Sequence, residues 1–253
     1  MGADREARRL TRTQRSIEAF RKGDACVEVR DAEGRPRAGV AVSVEQESHD
    51  FVFGCVVPDL DTFSDAERRR YRTRLDELFN RVVPAEPPPS AEPGVVRVEV
   101  AGRVHLGALR VRLDDLAAPG MPLHVHVWGA AVGLTGADER AAGRRVAELY
   151  TLCFAHRAVA AVFWNGFADG DRGARGGLLR RDLAPKYAHK VLQKLIGFDW
   201  HSRAAGRTDA DGRFRFRGFY GSYRVVTDIG GPAPNVETLV VQGGAHPNQS
   251  AAL

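Results

Sequence analysis

The sequence predicts an α/β protein: a partial or rearranged TIM-type (β/α) barrel with a small β-sandwich formed by the N- and C-terminal strands. Three observations predict it. Between residues 51 and 200, β-rich apolar runs alternate with helix-length segments, the pattern of parallel β/α units. Toward both ends the pattern changes to the two-residue alternation of half-buried antiparallel strands, punctuated by turn-forming residues. Finally, once the ends are allotted, the 253-residue chain has room for about five β/α units of roughly 30 residues each. A closed eight-stranded barrel takes about 250 residues by itself.

Residues 4–21 read as a charged amphipathic helix in which Leu10, Ile17, Ala19 and Phe20 are the apolar minority. CVEVR (26–30) and VAVSVEQ (40–46) alternate on either side of DAEGRP (31–36), a hairpin signal. Parallel strands are expected at FVFGCVV (51–57), LFNRVV (78–83), VVRVEVAGRVH (95–105), PLHVHVW (122–128) and VAAVFWNGF (159–167). Helices are expected over 64–78, 108–118, 137–154 and 184–196. After the turn TDADG (208–212), RFRFRGF (213–219), SYRVVT (222–227) and ETLVV (237–241) supply three more strands. Two or three strands seldom stand alone, so both ends are expected to meet in one sandwich. The organisation is then an N-terminal helix and hairpin (1–50), a shortened barrel-like core (51–200) and C-terminal strands packing with the hairpin (201–253).

Composition excludes several classes. A hydrophobic content of 43% supports a packed core. The 37 basic residues against 32 acidic ones are spread without a dense basic block, so no nucleic-acid partner is expected. Three well-separated cysteines form neither a disulfide framework nor a zinc motif, which fits a reduced, cytoplasmic setting. No apolar run is long enough for a membrane span, and MGADREARRL has no apolar core behind its charges.

The same segments carry a family resemblance. RKGDACVEVRDAEGRPRAGVAVSVEQESHDFVFGC resembles the N-terminal strand region of family-10 glycoside hydrolases, the xylanases. LFNRVVPAEPPPSAEPG (78–94) is similar to that family's second strand and the acidic segment after it. AVFWNGFADGDRGARGGLLRRDLAPKYAHKVLQKLIGFDW (161–200) resembles its last β/α unit, and GRTDADGRFRFRGFYGSYRV (206–225) the C-terminal strands of many members. The middle departs from the pattern. LDDLAAPGMPLHVHVWGAAV (113–132) and the helix after it are similar to the seventh unit, whose strand carries a Thr-Glu pair with Glu as nucleophile. Here His126 stands for the Thr and Val127 for the Glu. VAGRVHLG (100–107) resembles the sixth strand, with Arg103 where Gln is usual and His105 matching the family His. The third to fifth strands, including the acid/base Glu, have no counterpart. HVHVW (124–128) also resembles the third-strand H-x-L-V-W that lines the sugar pocket, which would make His124 and Trp128 substrate-facing.

Retaining glycoside hydrolysis needs two carboxyl groups about 5–5.5 Å apart, and Val127 cannot attack an anomeric carbon. The expectation is therefore a degenerate relative without xylan hydrolysis that retains carbohydrate or small-molecule binding. The alternative is a repurposed cytoplasmic enzyme of secondary metabolism acting on a small, glycosylated or polyketide-like substrate, with His105, His124, His126 or Asp169 as acid/base groups. Candidate ligand contacts are Arg103, His124, Trp128, Trp164 and Glu86. Glu86, Glu92, Glu99 and Asp169 are the acids from which a rescued pair would have to be built. His124-x-His126 with His105 invites a metal, but if position 127 faces the lumen both histidines face the helices. No metal or other cofactor is expected. GARGG (173–177) lacks the lysine of a phosphate loop, RRRYRTR (68–74) reads as a solvated helix face, and Cys153 reads as core. Phe167 and Trp200, like Trp164, match aromatic positions of the family. The partial barrel leaves two unpaired edges, for which a homodimer is the expected cover.

Overall fold

A computed structural model describes residues 2–85, 93–134, 136, 138–171, 176–228, 234–243 and 250–252. The chain runs α1 (Gly2–Arg21), β1 (Lys22–Glu28), β2 (Ala41–Gln46), β3 (Val52–Val57), α2 (Asp65–Asp76), β4 (Arg81–Pro84) and β5 (Val96–Val100). It continues through α3 (Leu106–Leu116), β6 (Leu123–Trp128), α4 (Glu139–Ala155), β7 (Val159–Asn165) and α5 (Tyr187–Lys194). The last strands are β8 (Arg203–Arg207), β9 (Arg213–Phe219), β10 (Gly221–Asp228), β11 (Asn235–Val241) and β12 (Ser250–Ala252). Two compact units result: Val52–Asp199 with the helix residues up to Ser16, and Ile17–Phe51 with the strands that follow Trp200.

The second unit holds two sheets, ordered β12-β1-β9 and β11-β10-β2-β8. Alternation decides its core. Val42 and Val44 of β2 face inward with Val27, Val29, Tyr223, Val225, Leu239 and Val241, while the intervening polar residues stay outside. The expected 26–46 hairpin is not one. β1 and β2 lie in different sheets, so the turn at 31–36 crosses between layers and keeps only an Arg30–Pro36 bridge. β8 was not legible as a strand, since RAAGR has no β-branched or aromatic residue. Its pairing with β2 overrides that propensity, and Gly206 leaves room for the Phe214 ring.

The first unit is a five-stranded parallel sheet in the order β4-β3-β7-β6-β5. The steps β3→β4, β5→β6 and β6→β7 all move the same way across the sheet. The step β4→β5 runs the other way, from one edge of the sheet to the opposite edge. Among the described residues β4 and β5 pair on one side only, and no closed barrel forms. The order places β6 between β5 and β7.

Two strands are shorter than expected. β4 starts at Arg81 because Leu78 and Phe79 close the end of α2 with bonds to the Leu75 carbonyl. Asn80 then accepts the Phe53 amide on its side chain. β5 stops at Val100, so His105 is not a strand residue; it caps α3, its Nδ1 accepting from the Gly107 amide at 3.2 Å.

Sheet parity corrects a further expectation. Val125 and Val127 are fully buried on the face that also carries Phe53 against Phe154 and Trp164 against Tyr150, which is the helix side. His124 and His126 lie on the other face, against Phe163. Phe163 in turn lies over Gly54, where any Cβ would run into its ring. It packs with Val56, Ala85 and Ala161. The histidines thus face what would be the lumen, and position 127 faces the helices.

Candidate functional site

Parallel strands all present their carboxyl ends on one side, and loops from those ends build sites in β/α folds. Here that end collects two groups of polar side chains, both within the first unit.

The first group stands on β5, β6 and β7. Register sets Glu99 beside His126 and Arg97 beside His124. Glu99 accepts from Arg97 Nε at 2.6 Å and from Trp128 Nε1 at 3.1 Å. Its carbonyl is held by Arg112 at 3.1 Å. The half-buried Trp128 indole is thereby fixed at the end of β6. His126 is 5% exposed and stacks on Phe163 with centroids 4.9 Å apart. Its Nδ1 has no hydrogen-bond partner among the described residues. Burial, aided by Arg97, lowers its pKa to about 4 against the opposing pull of Glu99 and Asn165, so the ring is neutral at pH 7.

The second group lies on the loops after β6 and β7. Asp169 Oδ1 accepts from the Gly176 and Gly177 amides at 3.1 and 3.0 Å. Lys186 Nζ reaches both carboxylate oxygens at 2.7 Å. Burial works to raise the Asp169 carboxyl, but the Lys186 and amide bonds outweigh it and hold the group below its ordinary value. Arg180 pairs with Glu139 at 2.5 Å, and the other Glu139 oxygen faces the Tyr187 amide at 3.4 Å. Around these four charges, with Leu134, Gly136 and Ala142, is a hollow of about 420 Å³.

Asp171, two residues on, turns toward the helix side. It accepts the Tyr71 hydroxyl at 2.5 Å and the Ala168 amide at 2.8 Å. Burial raises both its carboxyl and the Tyr71 phenol. Phe167 beside it is core, edge-on to Tyr71 and Phe79.

The structure brings together His124, His126 and Trp128, and it places Asp169 in the hollow. Trp164 is excluded from both groups: it is fully buried on the helix face, its indole donating to the Gly166 carbonyl at 3.0 Å. Arg103 lies on the exposed β5–α3 loop with His105 at its end, away from the strand face expected for them. Glu86 and Glu92 lie outside the described residues. Trp200 is buried in the sandwich unit. Among the described residues no group of three His, Cys, Asp or Glu is placed to hold a metal ion. No helix among them is long and apolar enough to cross a membrane. Sequence reasoning missed Glu139, Arg180 and Lys186, since no spacing rule links position 169 to a lysine 17 residues later.

No protein-family model matches the chain. Over 135 residues, 53% of its length, it is 28% identical to anti-sigma-I factor RsgI6 of Acetivibrio thermocellus, of which this covers 17%. Among solved structures it is similar to xylanase 10B from Thermotoga maritima, with 12% identity, TM-score 0.32, and coverage of 56% of this chain and 45% of that one. Xylanase 10B from Thermotoga petrophila in complex with xylobiose gives 16% identity, TM-score 0.28 and coverage of 55% and 45%. The full-length major pilin RrgB from Streptococcus pneumoniae gives 10%, 0.24, and 92% against 30%. The chain spans less than half the length of each of these proteins.

Proposed function

We propose that the chain recognises a carbohydrate without hydrolysing it. One observation carries this reading. Every carboxylate that the described residues place on β5 or in the loops after β6 and β7 is already held by the chain itself. Glu99 is held by Arg97 and Trp128, Asp138 by the Ala141 amide, Glu139 by Arg180, Asp169 by Lys186, Asp171 by Tyr71 and Asp182 by the Ala184 amide. Glycoside cleavage needs two carboxyl groups flanking the scissile bond, and the described strand residues of the five-stranded sheet supply one, Glu99. With Val127 turned to the helices, the β6 face offers an indole, two imidazoles and fixed hydrogen-bonding groups, which is binding chemistry.

The resemblance to family-10 hydrolases supplies the ligand class, a β-1,4-linked xylo-oligosaccharide. The stretch shared with an anti-sigma-I factor fits the same reading, since a domain of a regulatory protein must recognise and need not turn over. The test is calorimetric titration of the whole chain with xylobiose to xylotetraose, repeated with Trp128→Ala. Saturable binding lost in the variant supports the reading; absence of binding by the native chain contradicts it. A second reading, an acid/base enzyme acting on a small substrate, is favoured by one feature, the Nδ1 of neutral His126, which has no hydrogen-bond partner among the described residues. It requires turnover that His126→Asn abolishes while folding is unchanged.

A further inference from the structure

The hollow beside Asp169 has a chemical bias that the β6 face lacks. Both of its carboxylates are already engaged by donors of the chain. Asp169 takes two backbone amides and the Lys186 ammonium, and Glu139 takes Arg180 and faces the Tyr187 amide. Its donors are in surplus. Lys186 spends two of its three N–H groups on the Asp169 oxygens and has no other partner among the described residues, with a side chain only 8% exposed. Among the described residues Arg180 commits one of five side-chain N–H groups, to Glu139. A further cation, Arg145, lies over Gly133, next to the lining residue Leu134, and has no carboxylate partner among the described residues. A cavity with spare charged donors and carboxylates already paired to cations favours an occupant rich in acceptor oxygens. At about 420 Å³ it is larger than a lone oxyanion needs and suits a sugar ring carrying one.

We infer that this hollow binds the oxyanion of an acidic sugar, a carboxylate or phosphate substituent, through Arg180 and Lys186. The inference rests on the carbohydrate reading and adds the charge of the ligand and the place where it is read. The Arg180–Glu139 pair is solvent-accessible on both sides, with side chains 46% and 38% exposed, so an incoming oxyanion displaces Glu139 at little cost.

The experiment titrates the full chain at low salt with glucuronate, glucose 6-phosphate, neutral glucose and xylose, and inorganic phosphate. At least one acidic sugar is expected to bind about tenfold or more tightly than its neutral counterpart. Arg180→Gln is expected to erase that preference. Glu139→Gln, which keeps an acceptor for the Tyr187 amide but removes the competing charge, is expected to tighten acidic-sugar binding about three- to fivefold. Equal affinity for acidic and neutral sugars, or a preference that survives Arg180→Gln, overturns the inference and leaves the carbohydrate reading standing. Inorganic phosphate binding as tightly as the sugar phosphate overturns the sugar part. No binding of any of these sugars overturns the inference, and the carbohydrate reading falls with it only where xylotetraose also fails to bind.

Discussion

Lys186→Met tests how the loop after β7 is held. The substitution keeps the length of the buried stem and removes the ammonium, leaving the Asp169 carboxylate with two backbone amides and no cation. Losing one partner of a fully buried pair costs about 3–5 kcal/mol. Asp169 keeps 29% of its side chain exposed, so solvent screening brings the expected cost down to about 2–3 kcal/mol. For a unit of this size that is roughly 5–10 °C in Tm. The effect carries a pH signature. Asp169 is held below its ordinary pKa when folded, so its contribution is full above the unfolded value of about 3.9 and fades as pH falls through the folded value. The deficit of Lys186→Met should therefore be largest from pH 6 to 8 and shrink toward pH 3. Thermal scans of the native chain, Lys186→Met, Asp169→Asn and the double variant across that range are the assay. Adding Asp169→Asn to Lys186→Met should recover part of the loss. If the double variant is as unstable as the sum of the singles, with no pH dependence, the ion pair does not hold the loop.

Three other outcomes follow from the geometry. Val127→Glu buries a carboxylate on the helix face and should unfold the first unit or cost several kcal/mol without creating glycosidase activity, whereas His124→Glu, half-buried on the opposite face and in register with Arg97, should be better tolerated; urea unfolding of both compares them. Gly54→Ala should cost about 1–3 kcal/mol, because its methyl group displaces the Phe163 ring, and near-UV circular dichroism should report the aromatic rearrangement. His49 and His126 both have pKa values lowered to about 4 chiefly by burial, so the folded chain binds fewer protons than the unfolded one between about pH 4 and 6.5. Stability should fall as pH drops through that window, and His126→Phe should remove about one proton from the slope of unfolding free energy against pH.

Much of the architecture was legible because hydrophobic period is a local property. The runs at 51–57, 122–128 and 159–167 declared themselves as strands, and residues 137–154 as a helix, observed at Glu139–Ala155. Sheet membership was not local: nothing in DAEGRP tells whether β1 and β2 pair or face each other across a core. Parity on β6 was lost for a related reason. HVHVW is flanked by apolar residues on both faces of a buried parallel strand, so alternation does not say which set looks toward the helices. At the site, Asp169, His124, His126 and Trp128 were found from the resemblance, yet the fate of Asp169 was decided by Lys186, which only the folded loop brings near. Trp164 misled because an aromatic residue serves a core and a sugar platform equally well, and only its burial distinguishes them.

The central claim is recognition without turnover, and one measurement bears on it most directly. Xylotetraose is titrated into the full chain in a calorimeter, and the cell contents are chromatographed after prolonged incubation. The expected result is a saturable heat that Trp128→Ala removes, with the tetrasaccharide recovered intact. Release of xylose or xylobiose by the native chain, above a control without protein and abolished by heat denaturation, would contradict the account.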